Sequence, residues 1–424
     1  MTRSDLTDAH AAETQPAGTG IDWWTMLADP AYLAGPYATL KRIRELAPVH
    51  HDPVSGIYFV LGHDAFRRMA TAPEMGRDTS LWCHGWNSPG NRQRDPLSYE
   101  LFSEFQPQMT NANAPDHRRM RQVYERAFLP DRLAGLRAAI AAESESLLDA
   151  LPTDRPFEFM DAFAHPLARR VTRHAFDLPA EMDAPVAEWV AALSLVGNVI
   201  MSPEEKRDAL SALRAFKAYL RDRLASGSVE AGQGLVGLAL AAHADGTMNE
   251  EESLTNLVTL IAGGAATAIL IGNGLLALLR HPAEWARLRA DRALIGSAVE
   301  EMLRYEPGGS FILRVAIRDY PCGGFRIPAG SLAIGLVAAI TRDPGQFPDP
   351  DRFDIGRQPN PHHVFGGGPH ICIGKALVRM TAVTAFAALL DRCGGIELAG
   401  DPVWWTHRSD QHGLHSLPLR FGHA

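Results

Sequence analysis

The sequence predicts a mainly α-helical protein with a small β subdomain, and three features predict it. From about Asp116 to Leu303, long Ala-, Leu-, Arg- and Glu-rich stretches are punctuated by Pro and Gly, as successive helices are. After Pro307 short apolar runs alternate with Pro-Ala-Gly and Asp-Pro turns, the pattern of strands and loops. Residues 253–279 form a run of 27 without one charge, far too long for a strand.

Taken in order, residues 1–20 are polar, lack an apolar core and read as a flexible tail. Residues 21–424 read as a single domain, because no Ser/Gly-rich linker separates independent halves. Residues 36–46 form a helix that stops at Ala47-Pro48, and residues 57–61 form a short strand. The uncharged run is long enough for a membrane span, but Thr255, Asn256, Thr259, Thr267 and Asn273 interrupt it. Asn249 with Glu252 makes a cap at its start, and His281-Pro282 ends it. At 1.5 Å per residue the helix is about 45 Å long, buried on most sides and crossing the middle of a globule. Gly263, Gly264, Gly272 and Gly274 each cost about 1 kcal/mol relative to Ala in such a helix, so something bulky is expected against it. Strand character returns at 331–340, and a last helix covers 374–390.

Composition removes several function classes. With 46% hydrophobic and 21% charged residues in 424, the chain is neither disordered nor fibrous. Lys+Arg 41 against Asp+Glu 49 gives −8, without the basic excess of a nucleic-acid binder. Without an apolar leader the expectation is a cytoplasmic protein, not attached to a membrane. Cys83, Cys322, Cys372 and Cys393 are too few and scattered for a disulfide scaffold, and none forms a Cys-x-x-Cys pair.

Chemistry is concentrated around Cys372. In Phe365-Gly366-Gly367-Gly368-Pro369-His370-Ile371-Cys372-Ile373-Gly374, the glycines form a loop able to pass under a flat ligand. The cysteine stands just before a helix, whose N–H groups favour a thiolate. Such a thiolate suits axial ligation of a haem iron; a lone cysteine is otherwise a small buried hydrophobe. Glu301 and Arg304, at i and i+3, share a helix face 71 residues before Cys372. His117 and Arg121 are spaced i, i+4.

The decapeptide resembles the haem-binding signature F-G-x-G-x-H-x-C-x-G of the cytochrome P-450 superfamily at every fixed position, and Ala376 fits its extension. Glu301-Met302-Leu303-Arg304 with Tyr305-Glu306-Pro307 looks like the family's Glu-x-x-Arg element, and 327–330 and 347–353 are similar too. The resemblance runs from about 36 to 421 and is nearest to the soluble bacterial type. It implies a mostly helical cytochrome P-450 fold around one buried haem b (iron protoporphyrin IX), with Cys372 as the iron ligand. Phe365, Gly366 and Gly374 belong to the cofactor loop, and His117, Arg121, Arg314 and His370 to the propionate contacts. Glu301 and Arg304 would be structural, with Arg352 as their third partner. Arg118 and Arg119 read as a solvated basic face or as help in docking an acidic electron donor. The implied reaction is monooxygenation of a small organic substrate by O2, with electrons from a separate ferredoxin-type donor and its NAD(P)H reductase.

One departure bears on mechanism. Where the family has an acid–alcohol pair that aids proton delivery, this chain reads Ala262-Gly263-Gly264-Ala265-Ala266-Thr267. Ala265 and Ala266 stand at the acid and alcohol positions. Thr267, rotated about 100° further round the helix, is expected to bond the preceding turn or pack away. Hydroxylation would then rely on substrate- or water-assisted proton delivery. The alternatives are haem-thiolate oxidation without oxygen insertion (phenol or aryl coupling, ring formation, desaturation) and haem binding without turnover. Segments that line the pocket in related proteins supply Trp82, Trp86, Phe102, Phe105, Leu195, Val196, Phe311, Ile312 and Trp404, so an apolar substrate of natural-product size is expected.

Overall fold

A computed structural model describes residues 20–227, 229–232, 234–392 and 395–421. Most of the 1–20 tail and Cys393 therefore lie outside the described residues. In chain order, the elements that position the site begin with strands β1 (Val49–His51), β2 (Tyr58–Val60) and β3 (Met75–Gly76). Helices α1 (Asp116–Glu125), α2 (Pro130–Asp149), α3 (His165–Phe176), α4 (Asp183–Leu193), α5 (Pro203–Ala225) and α6 (Gly234–Ala244) follow. The rest are α7 (Glu250–Gly263), α8 (Ala266–Arg280), α9 (Ile295–Tyr305), β4 (Phe311–Ala316), β5 (Leu332–Leu336) and α10 (Lys375–Arg392).

The strands form one sheet in the order β1-β2-β5-β4-β3, antiparallel except where β2 meets β5. Alternation along β2 and β5 sends Phe59, Leu332, Ile334 and Leu336 to one core and Tyr58, Val60 and Ala333 to another, so both faces are buried. The run expected to stay extended to residue 340 instead turns into a helical turn at Val337–Ile340. There the Val337 N–H leaves the sheet to donate to Ser310 O at 3.0 Å.

The predicted cap closes as a reciprocal pair, Glu252 N–H on Asn249 Oδ1 and Asn249 N–H on Glu252 Oε2, both 2.9 Å. Residues Glu250–Arg280 are long and apolar enough to cross a membrane. Most of their apolar surface is covered by protein. Leu254, Leu257, Val258 and Ile261 of α7 pack into the core that holds α5 and α6, whereas Ala268–Leu278 enter the core of α2, α3, α9 and α10.

The uninterrupted helix expected here is broken at Gly264-Ala265. The N–H groups of Gly264, Ala265, Thr267 and Ala268 reach back three residues rather than four, at 3.1–3.2 Å. The glycines also act differently from one another. A side chain at Gly264, Gly272 or Gly274 would overlap Thr172, Met160 or Met302, so protein fills those gaps. Gly263 has nothing within 4 Å of where a Cβ would stand. Gly264→Ala is expected to destabilise by about 1–3 kcal/mol, read from the urea midpoint, because overpacking against Thr172 exceeds the helix-propensity gain.

Candidate active site

Left-handed backbone at Gly366 (φ 77°) and Gly368 (φ 67°) folds the Cys372 loop tightly enough for Cys372 N–H to donate to Phe365 O at 2.9 Å. A side chain at Gly368 would strike the carbonyl of Ala70. Burial raises the Cys372 thiol above its ordinary range, while the N–H groups of Gly374 and Lys375 and the charge of Arg121 pull it back down. The loop is braced from α10: Arg379 grips Glu300 through two bonds of 2.6 and 2.8 Å, and its guanidinium lies 4.6 Å over the Phe365 ring. Burial opposes ionisation of Glu300, yet Arg379 and His362 hold its carboxyl at about 2.

A cavity opens beside the sulfur, lined by Cys372, Gly374 and His370 of the loop, His117 and Arg121 of α1, and Arg77. Arg121 donates to Ile371 O at 2.9 Å, and the rings of His117 and His370 lie 3.9 Å apart. Burial, then the nearby Arg121, lowers His117 to about 4; burial, then His117 and the arginines, lowers His370 to about 2. Arg314 is fully buried behind them, bonded to Ala70 O (3.1 Å) and Gly367 O (2.9 Å), with Nε left without a partner. Arg77 meets only backbone carbonyls, Thr110 O and Leu313 O, both at 3.2 Å. Burial lowers Arg77 to about 10, and burial with the neighbouring Arg77 lowers Arg314 to about 9.

Among the described residues, no aspartate or glutamate lines this cavity. Arg121 is paired with Glu125 at 2.6 Å, but Arg77 and Arg314 have no acid partner among the described residues; buried guanidinium groups without a counter-charge are costly, so the site demands an anion. A flat metal macrocycle bearing two carboxylates would supply that charge, and Cys372, already facing N–H donors, would hold its metal. The residues fit haem b.

Glu301 and Arg304 are both completely buried and joined by two bonds of 2.8 and 2.7 Å. The third partner is Arg357, not Arg352. Arg357 Nε donates to Glu301 Oε1 at 3.2 Å, whereas the Arg352 side chain is 64% exposed and contributes only its carbonyl, 2.9 Å from Arg304 Nη2. The chain turns back between 352 and 357, and the second arginine is the one whose side chain points inward. Arg119 does not stand free for a partner, since it bonds Glu252 at 2.7 and 3.0 Å and Asp116 at 2.8 Å. Arg118 is exposed.

The structure changes the reading of Thr267. Thr267 lines the Cys372 cavity together with Leu260, Gly263 and Gly264, which stand seven, four and three residues before it on one helix face. None of the described hydrogen bonds ties its hydroxyl to the preceding turn. Ala265 faces a second, larger cavity of about 690 Å³, bounded by α3, α4, the break and residues 405–415. Gly263, Ala168 and Thr172 line both cavities, so the two meet at the open glycine.

Of the expected pocket residues, Leu195 lines the larger cavity. Trp82, Trp86 and Phe311 instead pack together beside the sheet, with Phe102 stacked on Trp86; Ile312 joins the opposite core and Val196 the α5–α6 core. Trp404 stacks on His412 at 4.1 Å, and its neighbour Trp405 faces the cavity. Strand alternation at 403–405 reverses that assignment, and a register shift in this hairpin hides it from the sequence. Arg77, Arg357 and the Glu300–Arg379 pair had no sequence signal, because only the fold brings them to the loop. Cys83 and Cys322 are free thiols, and burial lifts Cys322 to about 11.

The family model described as Cytochrome P450 matches residues 233–397. The chain is 32% identical over 402 residues to the cytochrome P450 monooxygenase PikC of Streptomyces venezuelae, covering 92% of each chain. It is 34% identical over 401 residues to the biotin biosynthesis cytochrome P450 of Bacillus subtilis, covering 93% of this chain and 98% of that one. Among solved structures it is similar to CxnD, described as the cytochrome P450 enzyme for C–S bond formation in chuangxinmycin biosynthesis. That match has a TM-score of 0.84, 30% identity and coverage of 97% and 99%.

Proposed function

This chain belongs to the cytochrome P450 family, and from that premise we propose that it hydroxylates an apolar, natural-product-sized substrate with protons supplied by water or by a hydroxyl of the substrate. It has the P450 fold, binds haem b and is an oxidoreductase of the monooxygenase type. The observation that carries the reading is the Cys372 sulfur, faced by two backbone N–H groups at the edge of a carboxylate-free ring of arginines and histidines.

Bound haem b supplies the O2 and one-electron chemistry. Cys372 would hold its iron, with Gly374 and Lys375 N–H groups tuning the sulfur, and Arg77, His117, Arg121, Arg314 and His370 would take its two carboxylates. Ala265 and Ala266 offer no proton. Water, or a hydroxyl of the substrate, lodged at the open Gly263 would reach the Thr267 hydroxyl, which accepts one proton and releases another. Electrons are assigned to a ferredoxin-type donor with its NAD(P)H reductase, in the cytoplasm. Its docking face would include the exposed Arg118, on the same helix as the Arg121 that holds the loop.

The test is turnover with labelled O2 and reconstituted redox partners: label in the product supports hydroxylation, and product without added oxygen overturns it. Gly263→Val is expected to cut product per NAD(P)H by about tenfold or more and raise peroxide, since proton transfer is worth 10²–10⁴-fold. The second reading, bond formation without oxygen insertion, is favoured by Ala265 and Ala266, which leave no acid beside the Thr267 hydroxyl. The neighbour CxnD is described as forming a C–S bond.

A further inference from the structure

The larger cavity holds more positive charge than its own acids neutralise. One face of α3 lines it with His165, Arg169 and Arg173, at i, i+4 and i+8. Arg173 is committed to Asp183 (2.8 Å) and Glu143 (3.2 Å). Across the cavity Arg408 faces Asp410 at 3.5 Å and donates to Ser194 Oγ and O at 2.8 and 2.6 Å. Asp183 and Asp410 are the acids in the lining, and both are taken. Arg169 is exposed, lines the cavity, and has no ion pair or hydrogen bond among the described residues. His165 lies within electrostatic reach of Arg169 and of His415, which lines the same cavity. Asp161 is the strongest of the charges acting on His165 and Glu158 acts on it too, but neither is in the cavity lining, and Glu158 already accepts the backbone N–H groups of Asp161 and Leu417. Most of the remaining wall, with Val186, Val190, Ile261 and Ala262, is apolar, and Thr172, His407 and Gln411 are its other polar residues.

We propose that this cavity takes an amphiphilic organic acid, its carboxylate held by Arg169 with His165 and His415 and its apolar body laid along α4 toward Gly263. The inference rests on the reading of the chain as a haem monooxygenase whose substrate occupies this cavity. Thr172 abuts Gly264, so at 1.5 Å per residue Arg169 and His165 lie about 5 and about 10 Å along α3 from the break. The carbon oxidised is therefore several bonds from the carboxylate. A guanidinium with flanking imidazoles is a charge-assisted donor set that a methyl ester or an alcohol cannot exploit.

The test uses the haem-loaded full chain, titrated by calorimetry and by spin-state shift with saturated acids of ten to sixteen carbons and their methyl esters. At least one acid is expected to bind about tenfold more tightly than its ester. Arg169→Gln is expected to shrink that preference to about twofold or less while leaving ester binding unchanged, and Arg169→Lys to keep most of it. Equal affinity of acid and ester in the wild type, no binding of any acid, or a preference that survives Arg169→Gln would overturn the proposal. The carbon monoxide difference spectrum of the same samples separates the two readings. A missing red-shifted band defeats the haem–thiolate reading, while the calorimetric comparison still decides the acid site.

Discussion

Cys372→Ser is expected to abolish the strongly red-shifted Soret band of the reduced, carbon monoxide-treated protein and to lower turnover by more than about 100-fold. Loss of groups that merely support a metal ligand costs 10–100-fold, and loss of the ligand itself exceeds that. The reason lies in the loop. Gly374 and Lys375 aim N–H groups at a sulfur that burial otherwise keeps protonated, so the site is organised around an anionic thiolate. A serine hydroxyl in the same place does not ionise and cannot push electron density to iron as a thiolate does. Retention of the band in the serine variant, or an unshifted band in the wild type, would defeat the assignment of Cys372.

Glu301→Gln is expected to cost about 3–5 kcal/mol, the penalty of stranding a buried charge. Arg304 is fully buried and Arg357 nearly so, and both lose their counter-ion at once. The loss is structural in direction: Glu301 also accepts the N–H of Asp354 at 2.9 Å and the amide of Asn360 at 3.2 Å, which hold the segment leading into the Cys372 loop. Haem retention should fall together with the urea midpoint. Arg352→Ala is the contrast, expected within about 0.5 kcal/mol because its carbonyl alone reaches Arg304 and its exposed side chain makes only a long 3.9 Å pair with Asp354. A large loss in Arg352→Ala would restore Arg352 as the third partner in place of Arg357.

Legibility followed distance along the chain. His117 with Arg121, Glu301 with Arg304, and the ten residues ending at Gly374 are local patterns, and each sits where a helix or a tight loop puts neighbours on one face. Arg357 and Arg352 could not be told apart in the same way. Five residues of irregular chain separate them, and nothing local says which side chain turns inward. The same holds for Trp404 and Trp405, where one step in a strand exchanges the cavity for the opposite face. Thr267 failed for another reason. Its rotation was counted from Ala266, which does not line the Cys372 cavity, whereas the helix face that does runs through Leu260, Gly263 and Gly264 to Thr267.

The sequence by itself determined the mainly helical class with its small sheet, the family and the cofactor, and it singled out Cys372 as the proposed ligand, because these reside in contiguous or helically spaced residues. Tertiary structure decided the rest: that the uncharged helix breaks at Gly264, that Gly263 alone among its four glycines stays open, that Arg77 completes the cationic ring, and that Arg169 stands unpaired in a second cavity. Each of these depends on which distant side chains arrive at a point. Close packing and the pairing of buried charge settle that only when the whole chain is folded.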